Sequence, residues 1–344
     1  MPLRAVLAGC GAMSKGWLEA IASTSDLRDG IELVGLVDID RAVAEQRAAA
    51  QGLEGVATGT DLAAMLAQTG AQLLFDVVPP AARRGVVETG LAHGCHVLSE
   101  KPMAVSLEDG RALVRAAAAA DRVHAIVQNR RFNSGVRSIR AAIESGLIGT
   151  LNAIHSDFFV GAHFGGFRDL MQHVLLLDMA IHTFDAARFM SGADPLAVYC
   201  HEANPASSWY AHGSVANAIF EFSGDVVVTY RGSWSAEGAN TSWDADWRII
   251  GSKGTLLWDG EDGLSARVVD GDDGFFRPMR DIDVPPHSSA DQTHGHASVI
   301  REFLDAIRTG RRPETSGDDN IKSLAMVFAA IESAAAKQRI LITT

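Results

Sequence analysis

Cysteine is almost missing from this chain of 344 residues: Cys10, Cys95 and Cys200 stand far apart, with no paired spacing. That excludes a disulfide framework and a cysteine-based zinc site, and it points to a reducing compartment, the cytoplasm. Positive charge is scarce beside negative, with 30 lysines and arginines against 42 aspartates and glutamates, a formal net charge of -12. A phosphate backbone needs a basic face, so no nucleic-acid partner is expected, and the same balance disfavours an anionic membrane surface. No run of about 18 uncharged apolar residues occurs, so no bilayer-spanning helix is expected. The apolar opening Met1–Gly9 is short and runs directly into a turn without a small-residue cleavage site behind it; it reads as a first strand, not a signal peptide. Aromatics make up only 7%, there is no internal repeat, and the 47% apolar and 21% charged content is that of an ordinary globular protein. The length exceeds what one core usually supports, so two domains are expected.

The first part of the chain alternates short apolar runs with helix-period stretches. Leu3–Ala8, Ile31–Val37, Leu73–Val78, His96–Ser99 and Val123–Val127 read as strands. Met13–Ser23, Arg41–Gln51, a short helix capped by Asp61, Val86–His93 and Leu107–Ala120 read as the helices between them. Consecutive parallel strands with helical crossovers predict a doubly wound Rossmann sheet over residues 1–125. Beyond it the pattern changes. Helices are expected at Val136–Ser145 and Leu175–Met190, followed by strand-like runs separated by turns such as Ser223-Gly224-Asp225, and two closing helices, His296–Arg308 and Asp318–Lys337. Residues 126–344 are therefore expected to form an α+β domain around a large, mainly antiparallel open sheet.

The turn Gly9-Cys10-Gly11-Ala12-Met13-Ser14 follows a strand and opens a helix, the context in which a glycine-rich loop cradles a pyrophosphate. Gly9 permits the tight turn and Gly11 the close approach of backbone to phosphate; Ser14 stands where the third glycine would. Asp38 ends the second strand, 24 residues beyond Ser14, where a carboxylate accepts hydrogen bonds from ribose hydroxyls and repels a 2′-phosphate. Gly9, Gly11, Ala12, Met13 and Asp38 are thus candidate cofactor contacts, with NAD favoured over NADP.

Further along stand Asp76-Val77-Val78-Pro79-Pro80, then Gly94-Cys95-His96-Val97-Leu98-Ser99-Glu100-Lys101-Pro102, and later Asp178-Met179-Ala180-Ile181-His182. Together with the glycine-rich loop, Asn129-Arg130-Arg131-Phe132 and Gly251-Ser252-Lys253-Gly254-Thr255, this set resembles the glucose–fructose oxidoreductase/inositol dehydrogenase (Gfo/Idh/MocA) family along essentially the whole chain. The resemblance implies a nicotinamide-dependent oxidoreductase acting on a sugar, inositol or related polyol, assembled as a homodimer or homotetramer. It adds Pro79, Glu100 and Lys101 to the cofactor contacts. Two departures bear on substrate: Gln172-His173-Val174 replaces a glycine-rich tract before the Asp–His motif, and Arg83 stands where a histidine often follows the proline turn.

Oxidising an alcohol needs a hydride acceptor, a base for the hydroxyl proton and a charge beside the developing oxyanion. Lys101, just past a strand's carboxyl end, suits the last role. An unperturbed imidazole titrates near neutrality, so His182 suits the second. Asp178, four residues earlier and so on the same helix face, accepts a substrate hydroxyl or orients the base. These three form the expected catalytic set. His163, Arg168 and His173, near a glycine-rich loop, are the expected substrate contacts, and Asp185 is expected to be structural. His294 and His296 flank Gly295; with too few ligands at metal spacing, no metal is expected. Two other classes stay open at this stage: an NAD-binding sensor without turnover, and a glycosidase- or lyase-like enzyme that uses NAD transiently.

Overall fold

The computed structural model describes residues 1–285, 287 and 295–344, and these separate into two compact units. The first comprises residues 1–129 with the described part of 293–324, and the second residues 130–292 and 325–344.

In the first unit, β1 (Leu3–Ala8) leads into α1 (Ala12–Ser23), followed by α2 (Ser25–Gly30), β2 (Ile31–Val37), α3 (Arg41–Ala50), β3 (Ala57–Gly59) and α4 (Leu62–Thr69). Then come β4 (Leu73–Asp76), α5 (Pro80–Ala92), β5 (His96–Ser99), α6 (Leu107–Ala120) and β6 (His124–Ile126). The strands form a sheet in the order β3-β2-β1-β4-β5-β6, all parallel among the described residues. The central strands are apolar on both faces, because helices cover both: Val6, Leu7, Leu73, Leu74, Phe75, Val97 and Leu98 are fully buried. Helix starts follow their caps. Asp40, Asp61 and Ser106 each accept a hydrogen bond from an amide in the first turn of α3, α4 and α6. Helix α5 begins six residues earlier than its apolar period suggests, because Pro80 fits a first helical turn, where no amide donor is needed.

The second unit opens with α7 (Ser134–Glu144) and β7 (Leu151–Phe159). A π-helical turn over Leu175–Ala180 runs straight into α8 (Ile181–Ser191), so the expected single α-helix begins with a wider turn. Next follow β8 (Pro195–Ala203), β9 (Val215–Phe222), β10 (Val226–Ser233), β11 (Asp246–Gly251), β12 (Gly254–Trp258), β13 (Ser265–Val269) and β14 (Met279–Asp283). After α9 (His296–Thr309) of the first unit, α10 (Gly317–Ala336) carries the boundary between the units at Leu324, and β15 (Ile340–Leu341) ends the chain. The sheet of the second unit has nine described strands in the order β14-β13-β12-β11-β7-β10-β9-β8-β15. It is antiparallel throughout except for β10 beside β7. Alternation along β9 is complete: Ala216, Ala218, Phe220 and Phe222 are buried while Asn217, Ile219 and Glu221 face outward. One face carries the core, and the other is left uncovered by the described residues. No described helix is long and apolar enough to cross a membrane.

Candidate active site

The first unit brings four strand ends together. Gly9 follows β1, Asp38 follows β2, Val78-Pro79 follows β4 and Glu100-Lys101 follows β5; these are consecutive parallel strands, so all four groups sit on one carboxyl edge. The edge straddles the point where strand order reverses, between β1 and β4, which is where doubly wound sheets take ligands.

Gly9 has φ +92°, and a Cβ there would lie 2.7 Å from the backbone of Val77 and Val78, so only glycine fits. A Cβ on Gly11 would meet nothing within 4 Å, so the turn presents open backbone at the start of α1. No side chain caps α1 and no acid stands in its first turn, which leaves its amides and dipole to an anion. Ala12 and Met13 are exposed beside them. Ser14 is fully buried, and its hydroxyl donates to the Gly11 carbonyl at 2.6 Å, so the third position is filled by a small side chain that satisfies itself locally. Arg47 braces the same turn by donating to the carbonyls of Cys10 and Gly11. The Asp38 carboxylate accepts the Cys10 amide at 2.8 Å and the Asp40 amide at 3.1 Å, which sets it at the mouth of the turn with lone pairs left for hydroxyls. Burial, helped by Asp38 and opposed by Arg47, pushes the Cys10 thiol up to about 12, so it is a neutral filler. An open cradle at a helix start with a carboxylate on its rim fits a dinucleotide.

Arg83 is a buried node. It donates to Asp76 Oδ2 at 2.8 Å, to the Val78 carbonyl at 2.7 Å and to the Pro102 carbonyl. The residue that departs from the family pattern therefore ties the β4 end to the segment carrying Lys101. Glu100 is 8% exposed, and its carboxylate accepts from Trp17 Nε1 and His296 Nε2, both at 2.8 Å, and from the Lys101 amide at 3.1 Å. His296 thus belongs to this edge, whereas His294 lies outside the described residues.

The second unit holds the Asp–His motif. Asp178 lies within the π-helical turn and His182 in the first turn of α8, 9% exposed. π-turns inside helices recur at functional sites. Arg168 donates to Asp178 Oδ2 at 2.8 Å, and its guanidinium lies 4.9 Å from the ring centres of both Phe164 and Phe167. His173, at φ +50°, hydrogen-bonds Glu202 at 2.6 Å. His163 stacks on Trp209 with ring centres 3.7 Å apart and meets Glu237 at 2.8 Å. Of the three expected substrate residues, Arg168 is thus brought to the candidate catalytic acid, while His163 and His173 each engage an acid of their own. Asp185, one turn beyond His182, is fully buried and accepts two hydrogen bonds from Arg131, both at 2.7 Å.

A narrow pocket beside His182 is lined by Arg130, Met179, Thr183, Trp243 and Asp244. Trp243 is 49% exposed and leans on Trp234 at 5.7 Å, with Phe164 5.0 Å from Trp234. Sequence reasoning missed Trp243 and Trp17, for which no local pattern spoke, and it quoted Arg131 only within Asn129-Arg130-Arg131-Phe132, without a role.

A family model described as an oxidoreductase family with an NAD-binding Rossmann fold matches residues 3–128, and one for the GFO/IDH/MocA C-terminal domain matches residues 136–257. The chain is 26% identical to inositol 2-dehydrogenase of Rhizobium meliloti (strain 1021), over 99% of this chain and 99% of that protein. It is 28% identical to D-apiose dehydrogenase of Paraburkholderia graminis, over 96% and 87%. Among solved structures, an oxidoreductase from Agrobacterium radiobacter in complex with NAD+, L-tartaric acid and magnesium superposes with a TM-score of 0.85 at 23% identity, covering 99% of each chain. Levoglucosan dehydrogenase, in complex with NADH and levoglucosan, superposes at 0.83 with 18% identity, covering all of both. With a Rossmann-fold first unit and a family C-terminal domain both matched, the chain is an oxidoreductase of the Gfo/Idh/MocA family with an NAD-binding Rossmann fold.

Proposed function

We propose that this protein is an NAD-dependent dehydrogenase interconverting a secondary hydroxyl and a carbonyl on a sugar, inositol or related polyol. In this reading residues 1–125, joined by the described part of 293–324 that packs with them, carry the cofactor, and the rest of 126–344 the substrate and self-association surfaces. The carrying observation is the shared carboxyl edge of β2, β1, β4 and β5, which gathers the glycine turn, Asp38, Pro79 and Lys101. The names of inositol and D-apiose dehydrogenases among its relatives support the substrate class.

Gly9, Gly11, Ala12 and Met13 would hold the pyrophosphate by backbone amides, Asp38 would take the adenosine ribose hydroxyls, and Pro79 and the Glu100–Lys101 segment would hold the nicotinamide end. Bound there, NAD would supply the hydride acceptor for the substrate's C–H bond. His182 takes the hydroxyl proton as the C–H bond gives up its electron pair. The Lys101 ammonium donates a hydrogen bond to the same oxygen and steadies its negative charge. Asp178 accepts a neighbouring substrate hydroxyl, with Arg168 holding it in place at 2.8 Å; His163 and His173 contribute at the substrate's periphery. Trp243 offers an apolar wall to the C–H face of a ring.

Lys101→Ala is expected to abolish turnover with NAD across a carbohydrate panel while leaving NADH binding measurable by fluorescence. Retained turnover would remove Lys101 from the chemistry. Thermal shift with NAD and the same panel identifies the substrate, because a ligand of the folded state raises the melting point.

A further inference from the structure

Glu100 is held at every point. Its backbone amide donates to the Asp76 carbonyl at 2.9 Å, continuing the ladder between β4 and β5. Its Oε1 accepts from two ring N–H groups, one on α1 (Trp17) and one at the first residue of α9 (His296), and its Oε2 accepts the amide of Lys101. The two donor rings are themselves fixed. Trp17 is fully buried, with Phe75 and His296 each 5.4 Å from its centre. Burial by itself would raise the Glu100 pKa, but the His296 hydrogen bond and charge, the Trp17 hydrogen bond and the Lys101 charge outweigh it and hold the group below the usual carboxylate range. An anion this buried is stable only with such donors.

A residue that served packing alone would not need a charge. Glu100 immediately precedes Lys101, and its carboxylate both grips the lysine's backbone and sets a negative charge near its ammonium. We propose that Trp17 and His296 are positioning residues for Lys101, acting through the Glu100 carboxylate. The proposal rests on the reading of Lys101 as the group that steadies the substrate oxygen. It links the helix that opens at the glycine turn, the strand end that carries the lysine, and a helix almost 200 residues away in sequence, so that the lysine is presented as a fixed ammonium donor.

His296→Ala, His296→Gln and Trp17→Phe separate positioning from packing. Glutamine keeps an N–H donor near the place of Nε2, and phenylalanine keeps most of the ring while losing Nε1–H. His296→Ala and Trp17→Phe are expected to lower kcat about 10–100-fold, the cost of misplacing a reacting group by a fraction of an ångström to an ångström. KM for the carbohydrate and the Kd for NADH should move no more than about threefold, under half of a tenfold step in free energy. His296→Gln is expected to recover most of kcat. A kcat for His296→Ala that stays near the wild-type value, or a glutamine variant as slow as alanine with the same Kd for NADH, overturns the proposal. A second readout needs no turnover: labelling of Lys101 by trinitrobenzenesulfonate, followed by peptide mass spectrometry. Loss of the His296 donor leaves the Glu100 carboxylate and the Lys101 segment it holds less firmly fixed, so labelling of Lys101 in folded His296→Ala should rise severalfold and fall back in His296→Gln. Unchanged labelling overturns the proposal even if no carbohydrate is turned over, and the absence of all turnover in wild type, with labelling behaving as expected, overturns the dehydrogenase reading alone.

Discussion

Asp38 shows how much one carboxylate can decide. It accepts the Cys10 amide at 2.8 Å, which pulls the glycine turn toward the end of β2 and sets the acid's free lone pairs on the rim of the cradle. A ribose bearing two hydroxyls satisfies those lone pairs, while a 2′-phosphate meets a charge of its own sign. Arg47 already lies at the turn, donating to the carbonyls of Cys10 and Gly11, and Arg41 begins α3 just beyond. Removing the acid takes away the charge that opposes a 2′-phosphate and leaves Arg47 at the turn, with Arg41 paired to Glu45 at 2.8 Å beside it. Asp38→Ser is expected to weaken NADH binding about tenfold and to improve NADPH binding by a similar factor, about 1.4 kcal/mol each way. Fluorescence titration of both reduced cofactors checks this, and a variant that keeps its discrimination would place the ribose elsewhere.

At the level of elements, the turn between β1 and α1 is the least tolerant of change. Gly9 sits at φ +92° with its α-carbon against the backbone that leaves β4, so a methyl group would have to displace one strand end or the other. Gly9→Ala is expected to lower NADH affinity at least about tenfold and to reduce stability by about 1–3 kcal/mol, measured by titration and thermal unfolding. A variant with unchanged affinity would show that the turn can shift without losing its ligand. This element was fully legible in the sequence, because a strand, two glycines and a helix start are adjacent residues obeying local rules. So were the cap at Asp61 and most strand runs. The π-turn at Leu175–Ala180 was not legible, since its apolar period is that of any buried helix. Nor was the Glu100 node: Trp17 and His296 meet through the sheet's topology, and no local pattern records a contact between residues so far apart. Arg83 was visible only as a departure, and its three buried partners explain why a long cation can stand there.

For the whole molecule, the face of the second unit's sheet that the described residues leave uncovered bears on self-association. Tyr199 on β8 pairs with Ile219 on β9, which pairs with Thr229 on β10, then His155 on β7, Arg248 on β11 and Leu257 on β12, so that one row crosses six strands. Tyr199, Ile219 and Leu257 on this row are 47%, 52% and 40% exposed. Leu196 and Val227 add to the exposed apolar surface of β8 and β10. Exposed apolar side chains towards both ends of the row, with Thr229, His155 and Arg248 between them, have the mixed composition of an interface, in which hydrophobic anchors bind and polar neighbours set the register. A second copy of the same face is the occupant we propose, since a twofold contact needs a self-complementary surface and aligned sheet faces pack about 10 Å apart. Burying an aspartate unpaired at the centre of such a contact costs several kcal/mol. Ile219→Asp is therefore expected to shift the protein to monomer in sedimentation velocity, with far-ultraviolet circular dichroism unchanged because the side chain points away from its own core. Leu257→Asp, farther along the same row, should do the same, whereas Glu54→Gln on the first unit should not. If the wild type sediments as a monomer, or if Ile219→Asp keeps the wild-type mass, the open face serves something other than a second copy of this chain.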